Sequence, residues 1–424
     1  MQFILTQYSL YKFLSDNPEG NTIMKEHYIS SNSIYSSEDP HFFKNGIPLK
    51  NNEGNDIEQA EFKSLIKKET SSFIHKSFSN TIILIGAGSS VLCTAGTVDN
   101  RFGKTVFMLA TLINDELKLN PSLFTLQELA NMCKYDIPVE VSEADGSTKL
   151  NSAFNLEDFL SNLLSFEKYV SASERDKYVA SKKKILALII SNTSYDYDNS
   201  CLNHSAFINT VSHLVKAPSK LTIVTTNYDT LIEDAAGSIG YTVIDGFSFS
   251  HRPYFDSDMF EWHLVKDIEN IKTRELEYKK NILNLLKLHG SLTWERDGQG
   301  IRRKEKSDVT DPIMIFPSSE KYMQSYQDPY FELFAKFQEL LKRPNTLLIT
   351  SGFSFADNHI SQMIIQAILH NKSLALLISD YNIKQNNPNW DKLTDLMKHN
   401  YQIAFLQATM NSDLTDYLGE YYDD

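Results

Sequence analysis

The sequence predicts an α/β protein: a doubly wound parallel sheet with a large helical insertion and an N-terminal extension. Three observations carry this. Short β-branched apolar runs, too brief for buried helices, recur along the chain, as at TIILI, LTIVT, TLLIT and SLALLIS. Each ends in small or polar residues. Between them lie longer stretches with apolar residues three and four apart, the spacing of amphipathic helices.

Taken in order, residues 1–75 are polar and mixed, with SSNSIYSSEDP and KNNEGND reading as loops. MQFILTQYSLYKF has neither the basic start nor the long apolar run of a secretory signal. IEQAEFKSLIKKETSSFIHKSF (57–78) has helical spacing. The segment is expected to be an extension that packs on the core or on another subunit, a possible assembly segment with no visible chemistry.

The central stretch is TIILIGAGSSVLCTAGTVDNR (81–101). A buried strand runs directly into Gly86-Ala87-Gly88 and Ser89-Ser90, a Rossmann-like arrangement in which bare backbone N–H groups can meet a pyrophosphate. Tight turns need glycine as well, so the two readings stand side by side. Residues 102–219 follow as a mainly helical insertion. Within it, Gly103-Lys104-Thr105 lacks the upstream glycine of a phosphate loop, because Val98 stands there. Lys182-Lys183-Lys184 reads as a solvated helical face, and His204 and His213 as ordinary helix residues without metal-ligand spacing.

LTIVTTNYDTLIEDAAG (221–237) is a second strand and turn, placing Thr226, Asn227 and Asp229 at a C-terminal strand end, where open α/β sheets bind ligands. Asn and Asp are also common turn and cap residues. YTVID is a short strand, and LLKLHGSLTWER a strand ending in a polar turn at His289. IMIFPSS (313–319) reads as a strand and PYFELFAKFQELLKRP as an amphipathic helix. TLLITSGFSFADNHISQMIIQAIL is strand, turn and helix, its turn offering Gly352, Ser354 and Asp357. SLALLISDYN is a last central strand, with Asp380 and Asn382 at its end; a helix and a short strand, YQIAFLQ, close the chain. Five strand ends thus carry small or polar groups toward one edge.

Composition narrows the class. The 424 residues are 42% hydrophobic, 22% charged and 12% aromatic, ordinary for a packed globular protein. A formal net charge of −13 argues against a broad nucleic-acid footprint or an anionic membrane as partner. No apolar run approaches a membrane span. Cys93, Cys133 and Cys201 lie far apart, which gives neither a disulfide framework nor a cysteine zinc site, so a reducing, cytoplasmic compartment is expected. No carboxylate cluster has metal-site spacing.

In combination these motifs resemble a sirtuin-type (SIR2-like) domain. GAGSS is similar to the family's GAGxS loop, with Ser90 in the serine position. Gly96-Thr97-Val98-Asp99-Asn100-Arg101 resembles its GIPDFR segment after a two-residue insertion, matching at Gly96, Asp99 and Arg101. TTNYDTLIE resembles TQNxDxLH at Asn227, Asp229 and Leu231; LHGS matches the segment of the catalytic histidine, at His289; GFSFADNHI resembles the GxS ribose contact, at Gly352 and Ser354. The motifs keep the family's order from about residue 82 to 382.

The resemblance implies an NAD-binding catalytic domain over 76–382, with the insertion at about 102–219 and residues 383–424 as a tail packed on the core. It implies NAD⁺ as substrate: Asn227, His289 and Asp229 as catalytic residues; Gly86, Ala87, Gly88 and Thr226 along the dinucleotide. Ser90, Asp99 and Arg101 would lie at the nicotinamide end, Gly352 and Ser354 at the adenosine ribose, and Asp380 and Asn382 at the adenine edge. The four-cysteine zinc module of sirtuin deacetylases cannot be built here, so no zinc is expected. The long insertion resembles bacterial SIR2-like NADases of anti-phage defence, which hydrolyse NAD⁺ outright. A chain of this length is most like the SIR2 subunit that partners a HerA-type ATPase, and a homo-oligomer is expected. Two other classes compete: a zinc-free deacylase or ADP-ribosyltransferase, and a non-catalytic subunit that binds NAD or ADP-ribose.

Overall fold

The computed structural model describes residues 24–94, 97–99, 101–142, 148–216, 218–268, 275–314 and 329–420. Gly96 and the part of the expected strand beyond Met314 lie outside these residues, as do residues 1–23.

The strands of the main sheet are β1 (Lys25–Ser30), β2 (Ile34–Glu38), β3 (His41–Lys44), β4 (Ile47–Pro48), β5 (Asn80–Ile85), β6 (Leu221–Thr225), β7 (Thr242–Ile244), β8 (Ile282–Lys287), β9 (Thr346–Ser351), β10 (Leu374–Asp380) and β11 (Ile403–Gln407). Their order is β7-β8-β6-β5-β9-β10-β11-β1-β2-β3-β4. From β7 to β11 every neighbour is parallel, and β1 joins β11 antiparallel. The expected parallel α/β sheet is therefore present, with an antiparallel edge added by the N-terminal segment.

The helices are α1 (Gln59–Ile74), α2 (Val106–Lys118), α3 (Leu126–Met132), α4 (Leu156–Phe166), α5 (Arg175–Thr193), α6 (His204–Ser212), α7 (Leu231–Ser238), α8 (Tyr330–Lys342), α9 (Asn358–His370), α10 (Pro388–Lys398) and α11 (Leu414–Leu418). Successive strand residues point to opposite faces, so each central run feeds two cores. Ile82, Leu84, Val224, Leu348 and Leu376 pack with α8, α9 and α10 through Phe337, Ile364 and Trp390. Ile83, Ile85, Ile223, Leu347 and Leu377 pack on the other face with α1, α6, α7 and α11 through Ile66, Phe207, Ala235 and Leu418. Burial on both faces is why these strands read as unbroken apolar runs.

The insertion has a core of its own: Leu109, Ile113, Leu129, Phe159, Tyr178 and Ile185 bring α2, α3, α4 and α5 together. A short antiparallel pair, Glu140–Ser142 with Thr148–Leu150, interrupts the helices and carries no clear sequence pattern. Thr105, in the rejected phosphate-loop triplet, is the N-cap of α2, accepting from Met108 N at 3.3 Å. His204 is buried at the start of α6, and burial pulls its pKa down to about 4.

Two stretches differ from expectation. SSNSIYSSEDP, read as loop, holds β2, whose Ile34 and Tyr35 are buried against β1. Its serines hide the strand because pairing with β1 on one side and β3 on the other supplies what a run of apolar side chains would otherwise signal. The end of LLKLHGSLTWER is not simply a turn. The chain reverses at His289 into a second strand, Gly290–Asp297, which pairs with Gly300–Arg303 and Pro312–Met314 in a small separate sheet.

Candidate functional site

The strand register lines up the ends. Lys287 pairs with Thr225, Thr225 with Ile85, Ile85 with Ser351, and Ser351 with Ser379. One or two residues beyond this row stand His289, Asn227, Gly86, Gly352 and Asp380. The five polar strand ends therefore sit on five adjacent strands at one edge, the position where doubly wound sheets take ligands.

The turn after β5 meets the turn after β9. Gly352 has φ +61°, and a Cβ there would lie 2.2 Å from Ser89 N. A Cβ on Gly86 would lie 2.5 Å from Gly352 O, and one on Gly88 2.9 Å from Gly352 Cα. The glycines are needed because two backbones touch. The expectation of bare N–H groups is corrected at three positions. Gly86 N donates to Ser351 O, Gly88 N to Gly352 O and Ser89 N to Gly86 O, each at 3.0 Å.

Asn227 ties this turn to the next strand. Its Nδ2 donates to Gly86 O at 3.2 Å, Ser90 Oγ at 3.2 Å and Ser89 Oγ at 3.4 Å. Its backbone N donates to Thr225 Oγ1 at 3.0 Å, which fixes the tight turn. Ser90 Oγ in turn donates to Asp229 Oδ2 at 3.2 Å, while Leu231 N donates to Oδ1. Asp229 and Ser90 are buried; Ala87, Gly88, Thr226, Asn227 and Gly352 are half-buried and reachable from outside. Burial raises the Asp229 pKa, opposed by the nearby Lys287 ammonium and by the bonds from Leu231 and Ser90.

His289 lies at the neighbouring end, 3% exposed. Its Nε2 is 3.1 Å from Asp357 Oδ2, and its ring is 6.5 Å from that of Tyr228. Asp357 is also the N-cap of α9, with Oδ1 accepting from His359 N at 3.0 Å and Ile360 N at 3.2 Å. Two residues earlier, buried Phe355 has φ +58°, a strained conformation for a bulky residue that tertiary packing holds in place.

The remaining expected residues are arranged less tightly. Arg101 forms a bidentate pair with Asp99, at 3.0 and 2.7 Å from Oδ2, and its side chain is largely exposed. Two residues after Arg101, Gly103 (φ +59°) presses on the Ser90 backbone, where a Cβ would lie 2.1 Å from Ser90 C. Ser354 is exposed, and its Oγ accepts from Ala356 N at 3.4 Å. Asp380 is buried, accepts from Asn382 N and Gln385 Nε2 at 3.1 Å each, and is pushed up by burial to about 6. Asn382 Oδ1 accepts from Lys384 N.

Residues 221–406 match the family model of the SIR2-like domain. That SIR2-like segment holds Thr226, Asn227, Asp229, His289, Gly352, Ser354, Asp380 and Asn382, and leaves out β5 and the Gly86–Ser90 turn. No curated protein matches the chain in sequence. Among solved structures it is similar to one described for the mechanism and regulation of Sir2 enzymes, at 12% identity over 83% of this chain and 95% of that one, with a TM-score of 0.33. A sirtuin solved for substrate affinity gives 12% identity, 85% and 97% coverage, and 0.31. A Sir2 mutant with a p53 peptide and NAD gives 12%, 85% and 97%, and 0.30. At such values the fold rests on the chain's own strand order. No helix among the described residues is long and apolar enough to cross a membrane.

Three partners of the site went unassigned in the sequence. Asp357 was legible only as a turn residue. Lys287, 1% exposed on β8, donates to Asp229 O and to Glu233 Oε1; it was hidden inside an apolar run. Asn411 reaches from the tail, its Nδ2 donating to Ser89 O and Val91 O at 2.9 Å, while its Oδ1 accepts from Asn203 N at 3.0 Å. No sequence pattern marks it.

Proposed function

We propose that this chain is an NAD⁺ glycohydrolase, cleaving NAD⁺ to nicotinamide and ADP-ribose. The observation that supports it most is the knot of Asn227, Ser90 and Asp229 over the Gly86–Ser90 turn, with His289 at the next strand end inside the SIR2-like segment. Breaking the nicotinamide–ribose bond builds positive charge on the sugar, so the protein must hold the ribose and deliver a water to one face. Asn227 suits this: its amide N–H groups are engaged with the turn, and its Oδ1 is the acceptor that would orient the water or a ribose hydroxyl. His289 would take the proton that the attacking oxygen gives up. Asp229, one bond behind Ser90, holds the turn in place. Asp99 and Arg101 would close the nicotinamide end, Gly352 and Ser354 would meet the adenosine ribose, and Asp380 and Asn382 the adenine edge.

The resemblance set out above supports the wider reading. The chain would act in the cytoplasm as a homo-oligomer, depleting NAD⁺ during phage infection, with a HerA-type ATPase as regulating partner. The acidic net charge of −13 suits protein assembly better than direct nucleic-acid binding.

The test is NAD⁺ turnover with products separated, for the chain alone and with the ATPase, beside Asn227→Ala and His289→Ala. Nicotinamide and ADP-ribose in equal amounts, lost by at least about 100-fold in both variants, would support hydrolysis. Consumption that tracks an added acyl-peptide or protein acceptor would replace hydrolysis with transfer. Saturable binding without turnover in every assembly state would leave a sensor.

A further inference from the structure

A catalytic imidazole works better when a partner fixes its plane and balances the charge it acquires. His289 stands in a turn between two strands that belong to different sheets, and it is almost wholly buried. In the row of strand ends two strands, β6 and β5, lie between β8 and β9. Yet the loop after β9 crosses that gap, and Asp357 Oδ2 reaches 3.1 Å from His289 Nε2, with side-chain exposures of 7% and 4%.

The carboxylate is itself held from behind. The N–H groups of His359 and Ile360 donate to Oδ1, so the first turn of α9 holds the carboxyl with Oδ2 at ion-pair distance from the imidazole. The αL conformation of Phe355, φ +58°, delivers the loop. Its carbonyl accepts from Ser361 Oγ and Asn389 Nδ2, both at 3.0 Å, which pins the bend from α9 and α10. Strain of this kind persists where surrounding structure over-determines it.

From this geometry we propose that Asp357 is the positioning residue of His289, orienting its imidazole and balancing the positive charge it takes on during NAD⁺ hydrolysis. The inference rests on the proposed glycohydrolase reading. In that reaction the C1′–nicotinamide bond breaks, and the bonding pair leaves with the neutral nicotinamide. A water oxygen bonds C1′, and one water proton passes to His289 and then to solvent. Asp357 takes no proton. It makes the imidazolium cheaper to form in a site from which water is largely excluded.

Other titratable groups around His289 have different engagements. Tyr228 follows β6, with its ring 6.5 Å from the imidazole. Tyr330 at the start of α8 lies over Gly290, its hydroxyl 3.0 Å from where a Cβ would stand. His359 packs its ring against Phe334 at 4.7 Å. Lys287, two residues before His289, is turned to Asp229 and Glu233.

Asp357→Asn tests the proposal cleanly, because Asn caps a helix about as well as Asp and the side chain keeps its shape. Asp357→Ser, also a good cap, serves if the first variant does not fold. The expected result is a fall in kcat of roughly 100- to 10,000-fold, with KM little changed. The acid limb of the pH–rate profile should move to lower pH, since an imidazolium without its anion gives up its proton more easily. In ¹⁵N-histidine NMR, His289 should titrate at lower pH in the variant than in the wild type. A variant with wild-type kcat, pH profile and His289 titration, changed only in melting temperature, would overturn the proposal. Were the wild type to show no NAD⁺ cleavage in any assembly state, the glycohydrolase reading would fall, while the NMR titration would still report whether the pair exists.

Discussion

Lys287 Nζ, buried beneath the candidate site, donates to the main-chain oxygen of Asp229 and lies 2.8 Å from Glu233 Oε1. One cation thus ties the turn carrying Asn227 and Asp229 to helix α7. The pKa values of Glu233 and Asp229 are both raised by burial, with Lys287 opposing the rise in each. A buried cation of this kind is costly to remove singly, because its partners are left as unpaired charges.

Lys287→Met is therefore expected to cost about 3–5 kcal/mol of stability, read as denaturant midpoint. Adding Glu233→Gln to it should recover part of that loss, since one of the stranded carboxylates is gone. Strict additivity of the two changes would show that the pair does not interact.

Gly352→Ala should be among the most damaging single-methyl additions in the protein. It combines φ +61° with a Cβ only 2.2 Å from Ser89 N and 2.4 Å from Gly88 C, both backbone atoms that have no side chain to swing away. A loss of more than about 2 kcal/mol is expected, together with weaker NAD⁺ binding as the two turns separate. Gly298→Ala is the control: a Cβ there has nothing within 4 Å. Similar melting curves for the two variants would contradict the close packing of these turns.

Asp380 supplies a pH dependence with a definite sign. Its pKa in the folded chain is about 6, raised by burial above the ordinary carboxylate value near 3.9. Between those two values the folded state binds the proton more than the unfolded state does, so this residue makes stability fall as pH rises from about 4 to about 6. Asp380→Asn should be close to neutral at pH 4 and stabilising by roughly 2 kcal/mol above pH 6, with Asn382 N and Gln385 Nε2 still able to donate to Oδ1. A stability difference that does not change across that window would refute the assignment. If Asp380 meets the adenine, the same variant should also raise the KM for NAD⁺.

How far the site was legible follows from what kind of signal each residue leaves. Asn227, His289, Gly352 and Asp380 each stand one or two places beyond the row of paired strand residues, with Asp229 two further along the turn from Asn227. Gly86 and Gly88 were legible as special, but for a reason the structure changes: they admit the backbone of Gly352. Asp357 was visible only as a turn aspartate, because an N-cap and a histidine's partner are the same residue type at the same place. Asn411, which holds Ser89 O from 322 residues away, had no signal at all.

The amino-acid sequence by itself determined the central parallel strands, the helices between them and the chemistry available at their ends. Those follow from apolar period and turn residues, which act over a few neighbours. Only the tertiary structure decided who faces whom: the His289–Asp357 pair, the engagements of Lys287, the meeting of two glycine turns, and the antiparallel edge that β1 and β2 add to β11. These are contacts between remote segments, chosen by sheet order and packing. No local pattern encodes them, since the same residue types would serve equally well as caps, turns or solvated surface.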